Sequence, residues 1–177
     1  VSFDVGAKVH DLANAVRALK CANLSGDGRL VITAATGTMG TASIKLAVKS
    51  PDALKLACQR LGLEFRGGQT TYTWFGTSVG DSPLPEGFTQ EDLGKCEHAI
   101  HVPGANYEIG LVFRDGAYKL MWDSFGPGGL EAALGKDCNL LKQAYGVEAA
   151  KLEAQRQGYS VWESQEEDGG VKLHVML

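Results

Sequence analysis

Three carboxylates in this 177-residue sequence stand where a carboxylate is unexpected. Asp115-Gly116 is a type I′ turn dipeptide between two alternating apolar runs. A two-residue hairpin there pairs Arg114 with Ala117, Phe113 with Tyr118, Leu111 with Leu120 and Ile109 with Trp122. The same register sets Glu108 opposite Asp123. Like charges directly across a ladder call for solvent, a cation or a raised pKa. Glu148 falls inside the apolar stripe of a helix that also carries Leu141, Ala144, Tyr145 and Leu152. Brought together, Glu108, Asp123 and Glu148 would make an oxygen-ligand site for Mg²⁺ or Mn²⁺. The structural alternative has Glu108 and Asp123 facing water and Glu148 bonded to a Lys or Arg at the rim of its stripe. Both readings stay open at this point.

Other residue groups carry weaker signals. "CEHAIH" puts Cys96, His98 and His101 close in sequence, but on a strand the two histidines point to opposite faces, and a fourth zinc ligand is missing. "GTMGTAS", residues 37–43, looks like a phosphate loop yet lacks the Gly-Lys-Ser/Thr ending and leads into a strand, so it reads as a hairpin turn. Nucleophile, base and orienter do not assemble from the sequence, and no catalytic residue is assigned. Trp74 shares its strand parity with Tyr72 and Gly76 and stands beside a long loop that carries Asp81. Trp74, Asp81 and His98 are therefore the ligand-binding candidates, set against the plain alternative that the aromatics belong to the core.

These residues need a frame of strands and helices to position them. Ser2 to Val9 alternates as a half-buried strand, and Asp11 can cap a helix with Leu12, Ala15, Val16 and Leu19 on one face. Strands follow at Leu30–Ala35 and Ala42–Val48. Ser50, Pro51 and Asp52 form a helix start, with Leu54, Ala57, Cys58 and Leu61 as the stripe and Gly62 as the stop. The two helix stripes repeat at a constant offset, a weak internal duplication. A strand–helix–strand–strand–helix–strand order implies a ferredoxin-like start. Residues 77–97, containing "GDSPLPEG" and "TQED", form a long loop in which Thr89 caps a short helical turn. Strand His98–Val102, the Asp115-Gly116 hairpin, a helix from about Cys138 to Gln157 and a hairpin around Asp168-Gly169-Gly170 complete the chain. The expected class is α+β, antiparallel sheet with helices on one face. It forms one domain, or two ferredoxin-like halves, 1–76 and 98–177, joined by loop 77–97.

Composition narrows the function classes. Hydrophobic residues are 44%, charged residues 21% and the net charge is −4, with no basic cluster, so a nucleic-acid partner is not expected. No apolar run reaches the roughly 20 residues needed to span a bilayer. Cys21, Cys58, Cys96 and Cys138 are widely spread, and a domain of this size needs no disulfide staples, which suggests a reducing, cytoplasmic setting.

The segments "SIKLAVKSPDALKLACQRLGLEF", "YEIGLVF", "YKLMWDSFG", "LLKQAYGVEAAKLEAQRQGYSV" and "EDGGVKLHV" follow one another in order. They resemble an uncharacterised family of hypothetical chloroplast-reading-frame proteins from cyanobacteria, algal plastids and phages. The likeness covers about Thr41 to Val175, while residues 1–40 and loop 77–97 look like additions. It implies a small intracellular protein, in cytoplasm, plastid stroma or a phage-infected cell, and no specific activity. Asp123 and Glu148 lie in the matching stretches.

The expectation is a non-enzymatic accessory or binding protein with a protein partner, acting through a surface near the long loop. One alternative is a Mg²⁺- or Mn²⁺-dependent enzyme using the acidic cluster, and another is a phage-borne structural protein. The oligomeric state is not set by the sequence.

Overall fold

A computed structural model of the chain describes residues 2–4, 29–34, 47–77, 84, 87–165, 167 and 171–176. The candidate Asp81, the expected first helix at Asp11–Leu19, the "GTMGTAS" turn and Asp168-Gly169-Gly170 lie outside them.

Helix α1, Pro51–Leu61, forms where its end signals place it. Ser50 Oγ accepts the Ala53 N–H at 3.2 Å, satisfying one of the first-turn donors, and Pro51 needs no donor there. At the other end Gly62 takes φ 68°, the Gly62 N–H donates to Gln59 O and the Leu63 N–H donates to Cys58 O at 2.8 Å. That pair of reversed bonds closes the last turn in the glycine-dependent way. Ala53, Leu54, Ala57 and Cys58 are buried, as their spacing requires.

The described strands make two sheets. One contains β1 (Ser2–Asp4), β2 (Arg29–Ala34), β8 (Ser160–Gln165) and β9 (Val171–Met176), in the order β1-β2-β9-β8. All its pairings are antiparallel except β1 with β2, which is parallel. The other runs β3-β7-β6-β5-β4 and is antiparallel throughout. Its strands are β3 (Ala47–Val48), β4 (Glu64–Gly67), β5 (His98–His101), β6 (Glu108–Arg114) and β7 (Ala117–Met121). The β6–β7 hairpin has the expected register, Arg114 with Ala117 through Gly110 with Met121, and Asp115 and Gly116 both have positive φ, as a type I′ turn demands. Short helix α2 (Leu130–Leu134) precedes the long helix α3 (Asn139–Arg156). Asp137 and Cys138, between them, are consecutive non-glycine residues at φ 55° and 53°.

The class is thus α+β, with a C-terminal hairpin. Among the described residues the ferredoxin-like order is not found, because strands of the first half are divided between the two sheets and β2 takes the far β9 as its partner. The chain separates into two compact units that interleave in sequence rather than dividing at the loop. One holds Val1–Ile44, Ser50–Ala57 and Asn139–Leu177, and the other Lys45–Lys49 and Cys58–Cys138.

In the first unit Val147, Ala150 and Ala154 of α3 bury against Val171, Leu173 and Val175 of β9, with Val161 of β8 packed alongside. In the second, Tyr72, Phe88, Cys96, Ala99, Val112 and Met121 form a core on one face of the five-stranded sheet. Trp74, Leu84 and Leu93 cover its margin. Gly110 of β6 lies directly under the Tyr72 ring, and a Cβ there would run into it. Gly110→Ala should therefore cost about 1–3 kcal/mol by overpacking, measured as a lowered denaturant midpoint with an unchanged slope. An unaffected midpoint would mean that Tyr72 is free to move away.

Candidate functional site

The Glu108 side chain is buried, and its carboxylate collects hydrogen bonds from three directions. Arg66 of β4 donates to Oε1 at 2.9 Å. Gln69 Nε2 donates to Oε2 at 3.0 Å, and Thr73 gives Oε2 both its N–H at 3.0 Å and its hydroxyl at 3.1 Å. The Glu108 N–H in turn donates to Thr73 O. Glu108 faces His101 across the ladder, not Asp123, because β7 ends at Met121. The expected like-charge pair is therefore absent. Arg66 also bonds Glu64 at 2.9 Å, which holds the Glu64 carboxyl below its usual range.

Asp123 has a different task. Its Oδ1 accepts the Phe125 N–H at 2.8 Å, turning the chain out of the sheet, and its Oδ2 accepts the Phe75 N–H at 3.2 Å. One carboxylate thereby clamps two separate backbone segments. The Phe75 and Phe125 rings lie 5.2 Å apart at 59°, each about half exposed (51% and 50%). Sequence reading did not pick out this pair. Phe125 sits in the "DSFG" segment, but nothing local announces that Phe75 will stand beside it.

Glu148, in the other compact unit, is buried as its helical position predicts. Lys151, one turn on, reaches it at 3.3 Å and reaches Glu163 of β8 at 2.7 Å. Burial works to lower the Lys151 pKa, but the hydrogen bond to Glu163 and the two carboxylate charges outweigh it and hold the pKa above its ordinary value. Glu108, Asp123 and Glu148 thus each have protein partners of their own. Among the described residues no group of three or more His, Cys, Asp or Glu is placed to hold a metal ion.

His98 accepts the Gly68 N–H at Nδ1, at 2.9 Å, so its ring proton sits on Nε2, which contacts Tyr118 Oη at 3.2 Å. The imidazole is the middle of a row of rings, Phe65, His98, Tyr118 and Phe113, spaced 5.1–5.5 Å. His101 is on the opposite face, as strand alternation requires. The Cys96 thiol contacts Gln69 O, and burial pushes its pKa up to about 11. It is neither a ready ligand nor a nucleophile at neutral pH. Trp74 is half-buried at the core margin, its indole nitrogen against Gly94.

The loop that follows is tied down at its far end. Asp92 accepts the Thr89 N–H at 2.8 Å and the Thr89 hydroxyl at 3.1 Å, closing the turn Gln90–Asp92. Arg114 bonds Asp92 at 2.8 Å, bonds Gly87 O and lies over the Phe88 ring. No family model, curated protein or solved structure matches the chain.

Two outcomes follow from this geometry. Mg²⁺ or Mn²⁺ should leave the thermal midpoint unchanged in wild type and in Asp123→Asn, since the carboxylates are already occupied by donors. A native-state ligand at 100 times its Kd would add about 2.7 kcal/mol, so a shift seen in wild type and lost in Asp123→Asn would restore the metal reading. The Asp92 pKa is lowered by the Thr89 N–H first, then by the Thr89 hydroxyl and Arg114. A lowered folded pKa means stability that is present above the ordinary aspartate range and lost as pH falls through the Asp92 value. Acid titration of stability should show that loss in wild type and not in Asp92→Asn.

Proposed function

We propose that this chain is a non-catalytic accessory or binding protein that engages a protein partner through the Phe75–Phe125 surface at the start of the long loop. The observation that carries the reading is the Asp123 clamp, which fixes both segments and holds two exposed phenylalanine rings side by side. Exposed aromatics fixed in advance suit an interface, because they bury much area and lose little conformational freedom on binding. The net charge of −4 weighs against nucleic acid as the partner. Among the described residues no helix is long and apolar enough to cross a membrane. The family resemblance carries no activity of its own, but its "DSFG" segment contains both Asp123 and Phe125, which agrees with a role for this corner.

The test begins with affinity capture on the immobilised protein, followed by binding measurements on the purified partner. Phe75→Ser with Phe125→Ser should weaken that partner about 30-fold or more, given roughly 2 kcal/mol or more at a hot spot, and leave the unfolding midpoint within error. Undiminished binding by the double variant would remove the surface from consideration. Turnover of a small molecule by the purified protein would overturn the non-catalytic reading as a whole.

A further inference from the structure

Strand β8 is an edge of the four-stranded sheet, and among the described residues no strand pairs with its outer side. Natural edge strands are guarded by lysines, prolines, bulges or brevity. Ser160–Gln165 has no lysine, proline or bulge, and its one guard is the inward-pointing charge of Glu163. It is six residues long, contains no Lys, Pro or Gly, and pairs with β9 without interruption from Ser160–Met176 to Gln165–Val171. Its one charged residue, Glu163, points to the α3 side and is neutralised by Lys151. On the opposite face Trp162 and Met176 are 42% and 48% exposed, two rungs apart. The Trp162 indole is held in place, stacked at 5.1 Å and 4° on His174, whose Nε2 is 2.9 Å from Ser164 Oγ. An open edge flanked by a fixed, exposed indole is the profile of a strand-addition surface.

We propose that β8 pairs antiparallel with β8 of a second copy of this chain, joining the two four-stranded sheets into one. Strand geometry selects the register. Two identical edges that meet in an antiparallel sheet are related by a two-fold axis perpendicular to it, so directly opposed residues must lie on the same face. Only residues of equal parity can then face each other, and the axis passes through Trp162 or through a neighbouring residue such as Glu163. The Glu163 register sets two carboxylates opposite each other, which is unfavourable. The Trp162 register sets indole beside indole, Ser160 beside Ser164 and Val161 beside Glu163, with Lys151 still satisfying that carboxylate. In this register the strand meets its own copy with no like charges opposed and with indole against indole, which is why the occupant is a second copy of this chain.

The mass of the full chain in solution, followed across the micromolar range by sedimentation equilibrium, tests this. Wild type should rise to twice the chain mass. Trp162→Lys, which sets two ammonium groups on the axis, should stay at the chain mass with an unchanged circular dichroism spectrum. Phe113→Lys, at an exposed aromatic of the other sheet, should behave as wild type. Trp162→Cys should give a disulfide-linked dimer on mild oxidation, because directly opposed Cα atoms of an antiparallel pair stand about 4.5–5.5 Å apart, within the span of a disulfide. A wild type that remains at the chain mass overturns the proposal, and so does a Trp162→Lys variant that dimerises normally. Should Trp162→Lys fail to fold, the wild-type mass and the cysteine cross-link decide, a cross-link no stronger than that of wild type being a refutation.

Discussion

A carboxylate removed from water costs several kcal/mol unless donors surround it, and the Glu108 carboxylate is removed from water. Its donors come from β4 (Arg66) and from the segment after β4 (Gln69 and Thr73). That segment has one bridge, Thr71 with Lys95, where the Tyr72 N–H donates to Gly94 O and the Cys96 N–H donates to Thr70 O. Thr73 is tied to Glu108 in both directions, through the carboxylate and through the Glu108 N–H to its carbonyl. Two residues on, the Phe75 N–H is taken by Asp123. The path of 69–75 along the sheet, and with it the placement of Tyr72 over Gly110, rests on that bridge and on two carboxylates acting as backbone clamps.

Clamping of this kind explains why the acidic residues attract notice in the sequence. Both Glu108 oxygens and both Asp123 oxygens accept hydrogen bonds from the protein itself. Glu148 shares Lys151 with Glu163. In each case the carboxylate organises backbone or joins a helix to a strand.

Much of the local structure was legible. The α1 cap at Ser50, the Gly62 stop, the Asp115-Gly116 turn with its register, the span of α3 and the burial of Glu148 all follow from side-chain types at fixed offsets. What was not legible involves pairing over distance. Alternating apolar residues mark a strand but do not name its neighbour, so the ferredoxin-like order seemed complete within the first half, whereas β2 pairs with β9. Equally hidden was the role of Asp123, because its partners are the backbone N–H groups of Phe75 and Phe125, and every residue but proline carries one. The opposition of Glu108 to Asp123 failed for a related reason. A hairpin register can be extended on paper past the point where the chain turns away, and Asp123 is itself the turn.

The strand order β1-β2-β9-β8 has a consequence for the ribosome. β9 lies between β2 and β8, yet it is made after every other strand of its sheet. β2 and β8 therefore leave the exit tunnel without the neighbour that joins them, while the strands of the five-stranded sheet are all synthesised before β8 begins. Nascent chains should show an ordered middle and unsatisfied flanks, the condition in which open strand edges are most exposed to wrong pairing. Closure of the sheet is then a late insertion between distant segments, slow by the usual dependence on loop length, and the stretch of synthesis just before β9 emerges is when this chain has most need of a chaperone.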